Sequence, residues 1–147
     1  MEPINLLIKP ASSLCNLRCK YCFYFDVAAC REIKSYGIMK TELLEIIVKK
    51  TLSEADSYCS FAFQGGEPTL AGLDFYKKLI EFQKKYNYKN LNIYNSIQTN
   101  GYLLNEEWAA FFAKNNFLVG ISLDGNKNTH DFHRINTENK GSFTEIM

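Results

Sequence analysis

Cys15, Cys19 and Cys22 stand in C-x3-C-x2-C spacing within the run CNLRCKYCFY. That spacing brings three thiolates onto one short loop, which suits a cubane [4Fe–4S] cluster while leaving one iron without a protein ligand. The vacant iron is where a small molecule can bind and react. A structural zinc site takes four protein ligands, and no fourth Cys or His lies nearby, since His130 and His133 are more than a hundred residues further on. Zinc is left open only through closure by the fold. Inert buried cysteines would have no reason to adopt this spacing. Of the other two, Cys59 opens the apolar run CSFAF and reads as a small buried hydrophobe, while Cys30 falls in the AACREIKSYG loop with no evident partner.

Three further polar segments carry chemistry. In Gln64-Gly65-Gly66-Glu67-Pro68 the glycines let the backbone approach a ligand closely, and the carboxylate can accept hydrogen bonds from an ammonium group. Gly-Gly-x-Pro is also ordinary turn chemistry. Ser122 and Asp124 supply a hydroxyl and a carboxylate suited to ribose hydroxyls, against the alternative of an Asp-Gly turn at a strand end. Arg134, in HDFHR, offers a planar fork for a carboxylate. Of the aromatics around the third cysteine, Phe23 and Phe25 read as packing for the loop, Tyr21 and Tyr24 as site residues. His130 and His133 read as surface or helix-end residues.

These residues need elements to hold them. Ile4 to Lys9 reads as a strand. Thr41 is placed to cap a helix that carries Leu44, Ile47, Val48, Leu52 and Ala55 on one stripe. Cys59 to Gln64 reads as a second strand, Leu73 to Tyr86 as a second helix and Leu91 to Gln98 as a third strand. Asn105 caps a third helix that opens on Glu106 and Glu107 and buries Trp108, Phe111 and Phe112. Phe117 to Leu123 completes the series. Strands alternating with amphipathic helices imply parallel pairing, with ligands gathered at the carboxyl ends of the strands. The cysteine loop, Gln64-Gly65-Gly66-Glu67, Gln98-Thr99-Asn100-Gly101 and Ser122-Leu123-Asp124-Gly125 all follow strands directly, and one shared site accounts for that.

Composition narrows the class. A 46% hydrophobic content within 147 residues supports one globular core, and a net charge of +1 provides no broad field for nucleic acid or an anionic membrane. No apolar run approaches a membrane span and the N-terminus lacks the features of a signal peptide, so the expected location is cytoplasmic. Three cysteines crowded together suit a reducing compartment.

CNLRCKYCFY, with Tyr21 just before the third cysteine, resembles the radical S-adenosylmethionine (SAM) signature. The resemblance implies an open iron chelated by the amino and carboxylate groups of SAM, with Tyr21 beside the adenine. It further implies Gly65, Gly66 and Glu67 at the SAM amino group, Ser122 and Asp124 at the ribose, and Arg134 at the carboxylate. IKPASSLCNLRCKYCFY, KSYGIM, FAFQGGEPTLAGL, IYNSIQTNG and FLVGISLDG together are similar to anaerobic sulfatase-maturating enzymes. That family oxidises a Cys or Ser of a sulfatase to formylglycine. An electron enters the cluster from a donor such as a ferredoxin or flavodoxin, SAM is cleaved reductively, and a 5′-deoxyadenosyl radical removes a β-hydrogen. Tyr24 and Gln64 would face the substrate peptide. The implied fold is α/β, a partial barrel in which about four βα units of a six-unit barrel are present across residues 1–147. Ser142-Phe143-Thr144-Glu145 matches a capping box just before Met147, so a helix is expected to continue there; the resemblance implies a further half-barrel, a cysteine-rich region and the acidic general base beyond this chain. Other readings are a different radical SAM maturase of peptides, a ferredoxin-like electron carrier, or a non-catalytic peptide- or metal-binding module. The carrier has no use for glycine-rich and ribose-type loops.

Overall fold

The computed structural model describes residues 2–147. Strands β1 (Ile4–Ile8), β2 (Tyr58–Phe63), β3 (Asn92–Thr99) and β4 (Leu118–Ile121) form one sheet in the order β1-β2-β3-β4. All three pairings are parallel. Helices α1 (Phe23–Ala29), α2 (Thr41–Glu54), α3 (Leu73–Tyr86), α4 (Glu106–Lys114), α5 (Lys127–His133) and α6 (Phe143–Ile146) complete the chain. A 3-10 turn, Pro68–Ala71, leads into α3.

The helices cover one face of the sheet. Ile8, Cys59, Phe61, Phe63 and Ile97 point into a core with Leu44, Val48 and Leu52 of α2, Tyr76 and Leu79 of α3, and Trp108 and Phe112 of α4. Burying each such side chain contributes about 1.5–3 kcal/mol. Between α3 and β3 the buried amides of Gln83 and Asn95 donate to each other at 2.8 and 3.0 Å, so neither is left unsatisfied. The opposite face mixes small and polar residues with the exposed side chains of Leu7, Tyr94 and Leu118. Register places Asn5 beside Ser60 and Ser60 beside Tyr94, then Leu7 beside Ala62, Ala62 beside Ser96 and Ser96 beside Leu118. The alternation of side chains along a strand makes these one row apart on the same surface.

The expected strands and the three long helices are present, with differences at their ends. Thr41 is the first residue of α2 instead of its cap; Lys40 occupies the cap position without a side-chain bond. Asn105 does cap α4, its side chain accepting from Trp108 N at 3.1 Å. β4 stops at Ile121, so Ser122 and Asp124 lie in the loop beyond it. Helices α1 and α5 were not expected: each is seven residues long, too short to show an apolar period. Phe23 and Phe25, read as packing, are exposed. Phe23 lies against the Tyr24 ring at 4.1 Å between centroids.

The capping box at Ser142 does not form. The Ser142 backbone sits at φ −116°, ψ 2°, and its side chain caps nothing on α6. Its hydroxyl instead donates to Arg134 O at 2.8 Å. His130, expected at the surface or a helix end, lies in the last turn of α5 and is fully buried.

Candidate cluster and cofactor site

The cysteine loop leaves β1 and is held on two sides. On one, Glu67 N donates to Leu14 O at 2.7 Å. Gly66 makes this approach possible: its φ is +58°, and a Cβ there would run into the Leu14 carbonyl oxygen. On the other side, the segment after α5 runs antiparallel to the loop, with a bridge between Leu17 and Asn136. Arg18 N donates to Ile135 O at 2.6 Å and Lys20 N to His133 O at 2.9 Å.

Held this way, Cys15, Cys19 and Cys22 rim one cavity of about 220 Å3. Tyr21, Tyr24, Gln64, Gly65, Gly66, Glu67, Ser122 and Arg134 also line it. Asp124 stands just behind, its Oδ2 accepting from the Tyr21 hydroxyl at 2.5 Å and its Oδ1 lying 3.1 Å from Arg134 Nε. All twelve residues expected at the site therefore meet at the carboxyl edge of the sheet.

The three thiols line one cavity, and three sulfurs from one loop suit a cubane that keeps one corner open. N–H groups point at the sulfurs. Cys15 Sγ accepts from Leu17 N at 3.4 Å and from Asn100 Nδ2 at 3.7 Å, and Cys19 Sγ from Arg134 Nη1 at 3.9 Å. Burial pushes the Cys15 thiol up to about 11; the Leu17 N–H opposes this, and the Glu67 charge adds to it. Cys19 is raised by burial as well, against the pull of Arg134. Thiols raised in this way are poor free nucleophiles at neutral pH. As ligands they must release protons when metal binds.

Glu67 has a structural role beside the one expected of it. Its carboxylate is buried and accepts four hydrogen bonds from the chain itself: Thr69 N at 3.0 Å, Thr69 Oγ1 at 2.6 Å, Thr99 Oγ1 at 2.6 Å and Asn100 N at 2.7 Å. It joins the Gly65-Gly66 turn to the end of β3. Oε1 takes three of these bonds and Oε2 only one, and the carboxylate lines the cavity together with the two glycines.

Around Asp124, burial alone would raise the carboxyl. The bonds from Tyr21 and Arg134 outweigh it and hold the group below the usual carboxylate range. Tyr21 is shifted the other way, to about 12, by burial first and then by its bond to Asp124. Arg134 Cζ lies 5.4 Å from the Tyr21 ring centroid, so guanidinium, phenol and carboxylate form one cluster. Ser122 Oγ accepts from Gln98 Nε2 at 3.0 Å. Lys9 Nζ sits 4.3 Å over the Tyr24 ring.

Two contributors were not singled out from sequence. Asn100 follows β3 in a segment noted for its polarity, and its amide donates to Asn16 Oδ1 at 2.8 Å as well as to Cys15. Its position at a strand end beside glycine was the available signal. Gln98, one turn of the pleat earlier, also lines the cavity.

Residues 10–147 match the radical SAM superfamily. The chain belongs to that superfamily. Its radical SAM core places the strands and loops as solved relatives do. A structure of native anSMEcpe with bound AdoMet and Cp18Cys peptide matches 99% of the chain at 56% identity and a TM-score of 0.91, over 38% of that protein. The cysteine-type anaerobic sulfatase-maturating enzyme of Clostridium novyi is 61% identical over the whole chain, which spans 39% of it. The serine-type enzyme of Bacteroides thetaiotaomicron is 41% identical over 99% of the chain, spanning 35% of that enzyme. The chain thus spans less than half the length of the curated relatives it matches. A [4Fe–4S] cluster and SAM are the cofactors of radical SAM proteins, and the cysteine-rimmed cavity fits both. No helix among the described residues is long and apolar enough to cross a membrane.

Proposed function

We propose that this chain is the cluster- and SAM-binding part of an anaerobic sulfatase-maturating enzyme, acting in the cytoplasm on a cysteine of a sulfatase polypeptide. The observation that carries the reading is the convergence of three thiols with the polar loops after β2, β3 and β4 on one cavity. Identity of 61% and 58% to cysteine-type relatives, against 41% to a serine-type one, favours cysteine as the target.

In this reading Cys15, Cys19 and Cys22 hold the cluster, whose fourth iron takes SAM. Bound together they supply one-electron cleavage of SAM and a radical that removes a β-hydrogen from the target residue. The chain's own residues position and enclose. Arg134 stands in ion-pair contact with Asp124 and directs Nη1 at Cys19, and its remaining N–H groups, the unpartnered Nε among them, are free for the SAM carboxylate beside that sulfur. Gly65 and Gly66 present backbone to the amino group, Asp124 and Ser122 receive the ribose hydroxyls, and Tyr21 flanks the adenine. Glu67 fixes the Gly65-Gly66 turn and presents its less engaged Oε2 to the same amino group. Tyr24 and Gln64, on the open side of the cavity, meet the peptide. A ferredoxin- or flavodoxin-type protein supplies the electron.

The test is an anaerobic assay of the protein carrying this chain, with reductant, SAM and a sulfatase peptide containing Cys or Ser. Methionine, 5′-deoxyadenosine and formylglycine should form, with the Cys peptide preferred. Absence of SAM cleavage would reject the enzyme reading in favour of an electron carrier. SAM cleavage without formylglycine would point to another peptide maturase.

A further inference from the structure

The His130 side chain has no part in the proposed chemistry, yet it is fully buried and both of its ring nitrogens are engaged. Asp124 N donates to Nδ1 at 3.3 Å. Nε2 lies 3.0 Å from Ser142 Oγ, whose own hydroxyl hydrogen is given to Arg134 O at 2.8 Å. A backbone N–H can only donate, so Nδ1 must be the acceptor. The serine hydrogen is already committed, so Nε2 must be the donor. Both ends independently demand the same neutral tautomer with hydrogen on Nε2.

The two residues reached by this chain of bonds are the two that form the ion pair at the cavity. Side chain to side chain, Asp124 Oδ1 meets Arg134 Nε at 3.1 Å. Backbone to backbone, Asp124 N connects through His130 and Ser142 to Arg134 O. The ion pair and these bonds close a ring, with Arg134 on the cavity side and a buried relay at the back. Phe143 packs on the imidazole at 5.6 Å between centroids, and Phe143 N donates to Asp131 Oδ1 at 2.8 Å, so α6 and α5 enclose the relay.

We infer that His130, with Ser142, is a positioning residue that sets the separation of Asp124 and Arg134 and so the affinity for SAM. Because a hydrogen bond depends on tenths of an ångström and tens of degrees, fixing both backbones fixes where carboxylate and guanidinium meet a ligand. Burial and the nearby Arg134 charge both lower the imidazole's proton affinity, in keeping with the neutral form. The inference rests on the proposed SAM site. It adds residues that touch neither SAM nor the cluster.

The test measures SAM affinity by calorimetry on the cluster-loaded protein carrying this chain, for wild type, His130→Ala, His130→Asn and Ser142→Ala, with iron content determined for each. Ser142→Ala and His130→Ala should weaken SAM binding about tenfold, the effect of one to two hydrogen bonds, at unchanged iron per chain. His130→Asn, whose side-chain oxygen can take the Asp124 N–H, should recover much of the loss. If His130→Ala fails to fold, Ser142→Ala and His130→Asn carry the comparison. Wild-type affinity in Ser142→Ala and His130→Asn alike, or equal weakening in both histidine variants with no recovery, would overturn the positioning role. Failure of the wild type itself to bind SAM would reject the site reading, and this inference with it.

Discussion

At the residue scale, the three loop cysteines have distinct surroundings but one expected outcome. Replacing Cys15, Cys19 or Cys22 by alanine removes one of three ligands, and iron and sulfide analysis after anaerobic reconstitution should show the [4Fe–4S] centre lost in each. Cys59→Ala and Cys30→Ala should retain it, since Cys59 is buried in β2 and Cys30 is exposed at the end of α1. Survival of the cluster without Cys19 would contradict the assignment. Glu67 behaves differently from its neighbours in the cavity. Its four accepted bonds make it a structural joint, so Glu67→Gln, which turns one acceptor into a donor facing donors, should lower stability by roughly 2–4 kcal/mol. Denaturant unfolding reads that loss directly; an unchanged midpoint would mean the joint contributes little. Arg134, which follows α5, was placed only by the family resemblance; most other residue types at the site were legible from sequence because they followed strands. The bonds of Glu67 were not, because Thr99 and Asn100 lie more than thirty residues away and only the pairing of β2 with β3 brings them to it.

At the element scale, the elements found from sequence are those whose residues repeat: the apolar stripes of α2 and α3, the Asn105 cap of α4, and the strands between them. Helices α1 and α5 escaped because seven residues carry no period, and the Ser142 box misled because its hydroxyl serves the relay to Arg134 in place of a helix end. The turn before α3 is tied to it by Tyr76, whose buried hydroxyl donates to Pro68 O at 2.9 Å. Burial, reinforced by the Glu67 charge, raises the Tyr76 phenol above its ordinary value. The folded form therefore resists an ionisation that the unfolded chain undergoes near pH 10. Stability from this source is complete below about pH 10 and declines as pH rises further. Tyr76→Phe should cost about 1 kcal/mol at neutral pH, for the carbonyl left unpaired, and should flatten the alkaline decline. An alkaline decline as steep as wild type would contradict the role of Tyr76.

At the scale of the whole molecule, one face of the sheet is a packed core and the other is an open surface where small and polar side chains alternate with exposed Leu7, Tyr94 and Leu118, with every cofactor-facing loop at one edge. That polarity follows from parallel strands joined by helices on a single side, and the alternating pattern made it legible. The sequence did not show how the cysteine loop is braced, because the Leu17 to Asn136 bridge joins the first strand's loop to a segment after the last. The bracing carries the central claim, that the cavity rimmed by Cys15, Cys19 and Cys22 holds a cluster whose open iron takes SAM. Electron paramagnetic resonance of the reconstituted, reduced protein with and without SAM tests this most directly. The account predicts a [4Fe–4S] signal that SAM reshapes and that Cys19→Ala lacks; a cluster signal indifferent to SAM would contradict it.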